Sequence, residues 1–141
     1  MNLENRLRIA VGKRASDVFL RSEFAKFGSE AQVGRALRKL VTDGVMVKLG
    51  VGVYAKAKRS VLSGNAIPVQ SVEILAEQAL KKMGVKVYPS TIVEDYNAGR
   101  TTQLPVVTAI NTGNRRIARK LGFGKKTVKY ENNRPRSEKS Y

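Results

Sequence analysis

Gln32, Arg35, Lys39 and Thr42 recur at intervals of three, four and three residues. At 100° per residue that spacing lines them along one stripe of a helix, with Ala31 and Arg38 at its border. The stripe is basic and holds no acid. Such a set suits the edge of a nucleic-acid duplex. A guanidinium at Arg35 can make paired hydrogen bonds to O6 and N7 of guanine, and the Gln32 amide can pair with adenine in the same way. Lys39, Arg38 and Ser29, with the first free N–H groups of the helix, suit phosphates, which set register without reading sequence. Any amphipathic helix also has a solvated charged face, so the stripe has to be judged by its surroundings.

Further cations fall into two groups. Lys48 and Lys56 flank the turn Gly50-Val51-Gly52, where they can meet phosphate while the glycines either let the backbone approach closely or simply make the turn. Arg115, Arg116, Arg119, Lys120, Lys125, Lys126 and Lys129 fall within fifteen residues, near Leu121, Phe123 and Tyr130. This second cluster has two open readings. It can hold a second stretch of DNA backbone, single-stranded nucleic acid or an acidic partner protein, or it can be a solvated sheet edge guarded by lysines against aggregation.

Other chemistry is poorly provided for. The absence of Cys and His removes the usual zinc ligands, the thiol nucleophile and the commonest general base. Glu94 and Asp95 are adjacent, so on a helix they diverge by about 100° and do not form a paired acid site. Gly122-Phe123-Gly124-Lys125-Lys126 lacks the spacing of a phosphate-binding P-loop. Thr101, Thr102 and Gln103 are expected to be a structural loop leading into Pro105. No enzyme activity, cofactor or metal is expected.

The charge points the same way as the stripe. Against 11 acidic residues stand 27 Lys plus Arg, a formal net charge of +16 at pH 7 that concentrates polyanions by long-range attraction. The excess is divided: residues 1–60 carry +8, 61–110 carry 0 and 111–141 carry +8. No apolar run approaches the roughly 20 residues of a membrane helix, and the polar amino terminus does not resemble a signal peptide, so a cytoplasmic protein is expected.

Several elements must position these groups. Leu3 and Leu7 at helical spacing predict a first helix over 2–11, followed by a short apolar patch at Val18–Leu20 and a helix over about 21–27 that Gly28 stops. Ser29-Glu30-Ala31-Gln32 has the pattern of a capping box, and Val33, Ala36, Leu37, Leu40 and Val41 give the next helix an apolar face ended by Gly44. Residues 45–49 and 53–55 predict a hairpin, with Tyr54 packed inward. Three helices and a hairpin in about sixty residues is the order of a winged helix-turn-helix. Beyond it, Ser71 caps a helix ended by Gly84, residues 85–88 alternate like a strand, Ser90 caps a short helix through Tyr96, and 104–110 form a buried strand. Two further strands are placed at 117–121 and 126–130 around Gly122-Phe123-Gly124, the first equally open to being a helical turn.

The run SEAQVGRALRKLVTDGVMVKLGVGVYA, from Ser29 to Ala55, resembles the helix and wing of the AbiEi-type antitoxin and transcriptional regulator family of type IV toxin-antitoxin systems, above all in RALRKLV-x-DG and K-L-G-x-G-x-YA. The second half is similar to the segment after the wing in that family: IPVQSVEILAEQALKKMGVKVYPS, then Thr101 to Pro105, a turn at Thr112-Gly113 and a basic stretch from Arg115-Arg116. The resemblance covers roughly residues 1 to 130. It implies a bacterial winged-helix repressor of its own promoter, commonly the partner of a nucleotidyltransferase-like toxin; many members continue with more helices after the basic stretch.

The expected protein is thus α+β. An N-terminal winged helix-turn-helix over 1–58 is joined by a linker, 59–68, to a small domain with a basic edge over 69–130, and 131–141 form a mobile tail. Its expected function is sequence-specific binding of double-stranded promoter or operator DNA as an antitoxin-like autorepressor, with a toxin partner and homodimerisation left open. The rival reading is an RNA-binding or ribosome-associated basic protein, against which stands the scarcity of aromatic residues.

Overall fold

The computed structural model describes residues 2–88, 99 and 109–132. The chain is α+β. Helix α1 (Leu3–Lys13) is capped by Asn2, whose side chain accepts from the Asn5 N–H. Strand β1 (Val18–Leu20) leads into a 3-10 helix (Arg21–Phe27), where Glu23 reaches back to accept from the Leu20 N–H at 2.6 Å. Helix α2 (Glu30–Thr42) begins at the expected capping box, and Gly44 ends it in the left-handed region at φ +78°. The hairpin comes next as β2 (Met46–Gly50) and β3 (Val53–Arg59), with Gly52 at φ +69° in its two-residue turn.

The sheet runs β1-β3-β2, antiparallel throughout. Because successive side chains on a strand face opposite ways, its two faces collect different residues. Phe19, Met46 and Tyr54 face a core shared with Leu7 and Val11 of α1, Phe24, and Val33, Ala36, Leu37 and Leu40 of α2. Val18, Val47, Leu49, Val53 and Ala55 face a second core, completed by Val72, Leu75, Ala76, Ala79 and Leu80 on helix α3 (Val72–Lys82) and by Ile110, Leu121 and Val128. Burying side chains of this size contributes about 1.5–3 kcal/mol each. Both halves of the chain therefore draw on one sheet.

Several expectations change accordingly. The segment expected to be a linker contains strand β4 (Ala66–Pro68), which pairs with Ala57–Arg59 of β3. The Lys56 N–H goes to the Asp17 carbonyl while its own carbonyl accepts from Val69, so β1 and β4 succeed one another along one edge of β3. The first core, from Leu7 to Tyr54, lies wholly within 1–58, whereas the second is shared between strands of 1–58 and residues beyond 69. Residues 85–88 form only a single bridge, Tyr88 to Asn111, and 117–121 contain no strand. The carboxy-terminal strands are short: β5 (Ala109–Asn111) runs parallel to β8 (Lys129–Glu131), and β6 (Gly122–Phe123) pairs with β7 (Lys126–Thr127). The helix expected from Ser90, Glu94 with Asp95, the loop with Thr101–Gln103, the strand's first part over 104–108 and the tail beyond 132 lie outside the described residues. None of the helices of the described residues is long and apolar enough to cross a membrane.

The second half is fastened to the hairpin's tip. Arg119 Nη1 donates to the Val51 carbonyl at 2.8 Å, and the Lys120 carbonyl lies so close to Gly50 that a Cβ there would overlap it. Gly50→Ala is expected to destabilise the fold by about 1–3 kcal/mol in urea denaturation, because the obstruction is backbone and cannot swing aside. Gly12→Ala, in α1 with nothing within 4 Å of the added carbon, should instead stabilise by up to about 1 kcal/mol.

Candidate nucleic-acid interface

The buried side of α2 is Val33, Ala36, Leu37 and Leu40, so the centre of its open face falls on Ala31, Arg35, Arg38 and Thr42. Arg35 is exposed and, among the described residues, has no hydrogen-bond or ion-pair partner. Arg38 makes only a long contact, from Nε to the Gly34 carbonyl at 3.4 Å, and Thr42 donates its hydroxyl to the Arg38 carbonyl. Arg38 thus moves from the border of the expected stripe to its middle.

Gln32 and Lys39 turn towards α1, where with Arg35 and Ala36 they line a shallow depression against Asn2, Leu3 and Glu4. Gln32 Oε1 accepts from the Ser29 N–H at 3.0 Å while Ser29 Oγ accepts from the Gln32 N–H at 3.2 Å. The amide oxygen that an adenine pair requires is already engaged, so capping and base reading compete for one side chain, and in this conformation capping holds it. Ser29 likewise serves the helix end. Lys39 Nζ pairs with Asp43 Oδ1 at 3.1 Å, and Asp43 Oδ2 takes Arg8 Nη2 at 2.8 Å, which ties α1 to the end of α2.

The hairpin cations also separate. Lys48 is exposed and stands opposite Tyr54 in the ladder, which places it on the face of the sheet that carries α1 and α2. Lys56 points to that face too but is held: its Nζ donates to the Arg14 carbonyl at 2.5 Å. Of the expected wing contacts, Lys48 alone is left open to a ligand. Gly50 approaches protein backbone, not solvent, which adds a packing role to its place beside the turn.

Arg21 was missed by reasoning from sequence. Its backbone N–H donates to the Gly52 carbonyl at 2.9 Å, and its Nη2 donates to the Glu30 carbonyl at 2.6 Å across Gly34 of α2. The side chain braces the hairpin's turn against the helix. The signal was Gly34 itself, since glycine inside a helix costs about 1 kcal/mol against alanine and here makes room for the guanidinium.

In the second cluster Lys126 pairs with Glu73 on α3 at 2.7 Å. Burial opposes ionisation of Glu73, but the Lys126 contact, its own backbone N–H and the Lys126 charge together hold its carboxyl below the usual range. Tyr130 donates its hydroxyl to the Arg119 carbonyl at 2.7 Å; burial raises its pKa, against the opposing charge of Arg119. Arg115, Arg116, Lys120, Lys125 and Lys129 are exposed, with no ion-pair partner among the described residues.

A family model described as a family of unknown function (DUF6088) matches residues 5–139. The chain belongs to that family. No curated protein and no solved structure matches it.

Lys39, then Arg8, hold the Asp43 carboxyl below the usual carboxylate range. A depressed folded-state pKa contributes stability that is present above the unfolded value of about 4 and is lost as pH falls through the folded value. The difference in Tm between wild type and Asp43→Asn should therefore be largest near neutral pH and shrink below about pH 4. A difference that grows on acidification would contradict the tie.

Proposed function

We propose that the chain is a sequence-specific binder of double-stranded DNA, built as a winged helix-turn-helix in which α2 enters the major groove and the β2–β3 hairpin is the wing. The observation that carries this reading is the pair Arg35 and Arg38 on the open face of α2, without an acidic partner among the described residues. The helix bearing them comes directly after the 3-10 helix and precedes the hairpin, as in that motif. Arg35 reads a base edge, and Arg38 and Lys48 take phosphates to either side. Regulation of its own promoter, in the manner of an antitoxin-like repressor, rests on the resemblance of Ser29–Ala55 to the AbiEi-type wing.

Fluorescence anisotropy at fixed salt with duplex DNA from upstream of the gene, scrambled duplex and RNA tests the proposal. The upstream duplex should bind most tightly. Arg35→Ala should cost about 1–3 kcal/mol on that duplex and little on the scrambled one, whereas Arg38→Ala should weaken both and lower the salt slope by about 1. Lys39→Ala should do less than Arg38→Ala, because Asp43 already neutralises that ammonium. Equal affinity for all three probes reduces the function to non-specific binding, and tighter binding of RNA replaces it with the RNA reading.

A further inference from the structure

We infer that the wing is composite: the carboxy-terminal basic segment completes its tip, and Arg116 and Lys120 bind phosphates of the same duplex beyond the stretch that α2 reads. The inference rests on the DNA-binding reading and extends it to a second site. From Leu49 to Val53 the hairpin tip is Leu, Gly, Val, Gly and Val, so it has no side chain able to hold a phosphate. The segment docked on it supplies what the tip lacks. Arg119 bonds the Val51 carbonyl, the Lys120 carbonyl abuts Gly50, and Leu121 is fully buried in the core behind the sheet. These anchors fix the backbone while the Arg116 and Lys120 side chains stay exposed. Lys48 of the wing and Lys120 line one cleft of about 440 Å³, whose lining contains no acid.

The other readings of the cluster fit less well. Lysines that guard a sheet edge belong on strands, as Lys126 and Lys129 do, but residues 115–120, which carry Arg116 and Lys120, lie in none. Single strands need open aromatic faces for stacking, whereas Phe123 and Tyr130 pack against the core and the Tyr130 hydroxyl is bonded. A protein interface needs an apolar centre, and here Leu121 and Val128 are buried. Apart from Val51 at the tip, the side chains left exposed there are mainly cationic, and they match a regular array of phosphates.

The test uses the full chain carrying Arg116→Ala and Lys120→Ala together; neither side chain makes a hydrogen bond or ion pair among the described residues, and circular dichroism checks the fold. Binding is measured on a duplex of about 10 base pairs that spans one helical turn around the α2 site and on one of about 20 base pairs, each across a salt series. On the longer duplex the double variant should bind about tenfold or more weakly and lose about 2 from the salt slope; on the shorter it should match wild type. If Arg35→Ala weakens the longer duplex and the double variant does not, the composite wing is overturned and the proposed function stands. A larger loss on oligo-dT than on duplex overturns it in favour of single strands. If wild type binds neither duplex, both readings fall.

Discussion

Val53, Tyr54 and Ala55 stand in succession on β3, and all three are buried. On a strand this requires cover on both faces, since Tyr54 turns one way and its two neighbours the other. The first sixty residues supply only one cover, through Leu7, Val11, Leu37 and Leu40. The other comes from α3 and from Ile110, Leu121 and Val128. The position of α2, the path of β4 and the docking of the basic segment on the hairpin all result from keeping that central strand dry on both sides.

The few acids in this basic chain act as ties. Asp43 joins Lys39 to Arg8 between α2 and α1. Glu23 takes Arg14 at 2.9 Å and Lys82 at 3.1 Å, linking the end of α1 to the end of α3 across the 3-10 helix, and Lys82 also donates to the Val18 carbonyl. Glu73 holds Lys126. Each pair is partly exposed, so its separate contribution is small, but the pairs join elements from both sides of the sheet. They also sort the cations: Arg8, Arg14, Lys39, Lys82 and Lys126 stand beside an acid, whereas Arg35 and Arg38 on α2, Lys48 on the hairpin and Arg116 and Lys120 near its tip have no ion-pair partner among the described residues.

Local chemistry was legible from the sequence alone. The capping box at Ser29 and Gln32, the termination of helices at Gly44 and Gly84, the hairpin turn at Gly52 and the inward Tyr54 each depend on a few neighbouring residues and a backbone preference that those residues carry with them. The α+β class and the apolar face of α2 were readable for the same reason. What the sequence could not contain was competition between distant groups. Nothing near Lys56 announces the Arg14 carbonyl, forty-two residues away, and nothing near Lys39 marks Asp43 as shared with Arg8.

The residues thus determined by themselves which helix carries a cationic face, and that both ends of the chain are basic. Tertiary structure decided which of those cations remain available, that residues 59–68 contribute a strand instead of a linker, and that the second basic stretch meets the hairpin's tip. The physical reason is separation in the chain. Caps and turns are settled within a few residues, whereas the contact of Gly50 with Lys120 exists only because both faces of one sheet must be covered by the same chain.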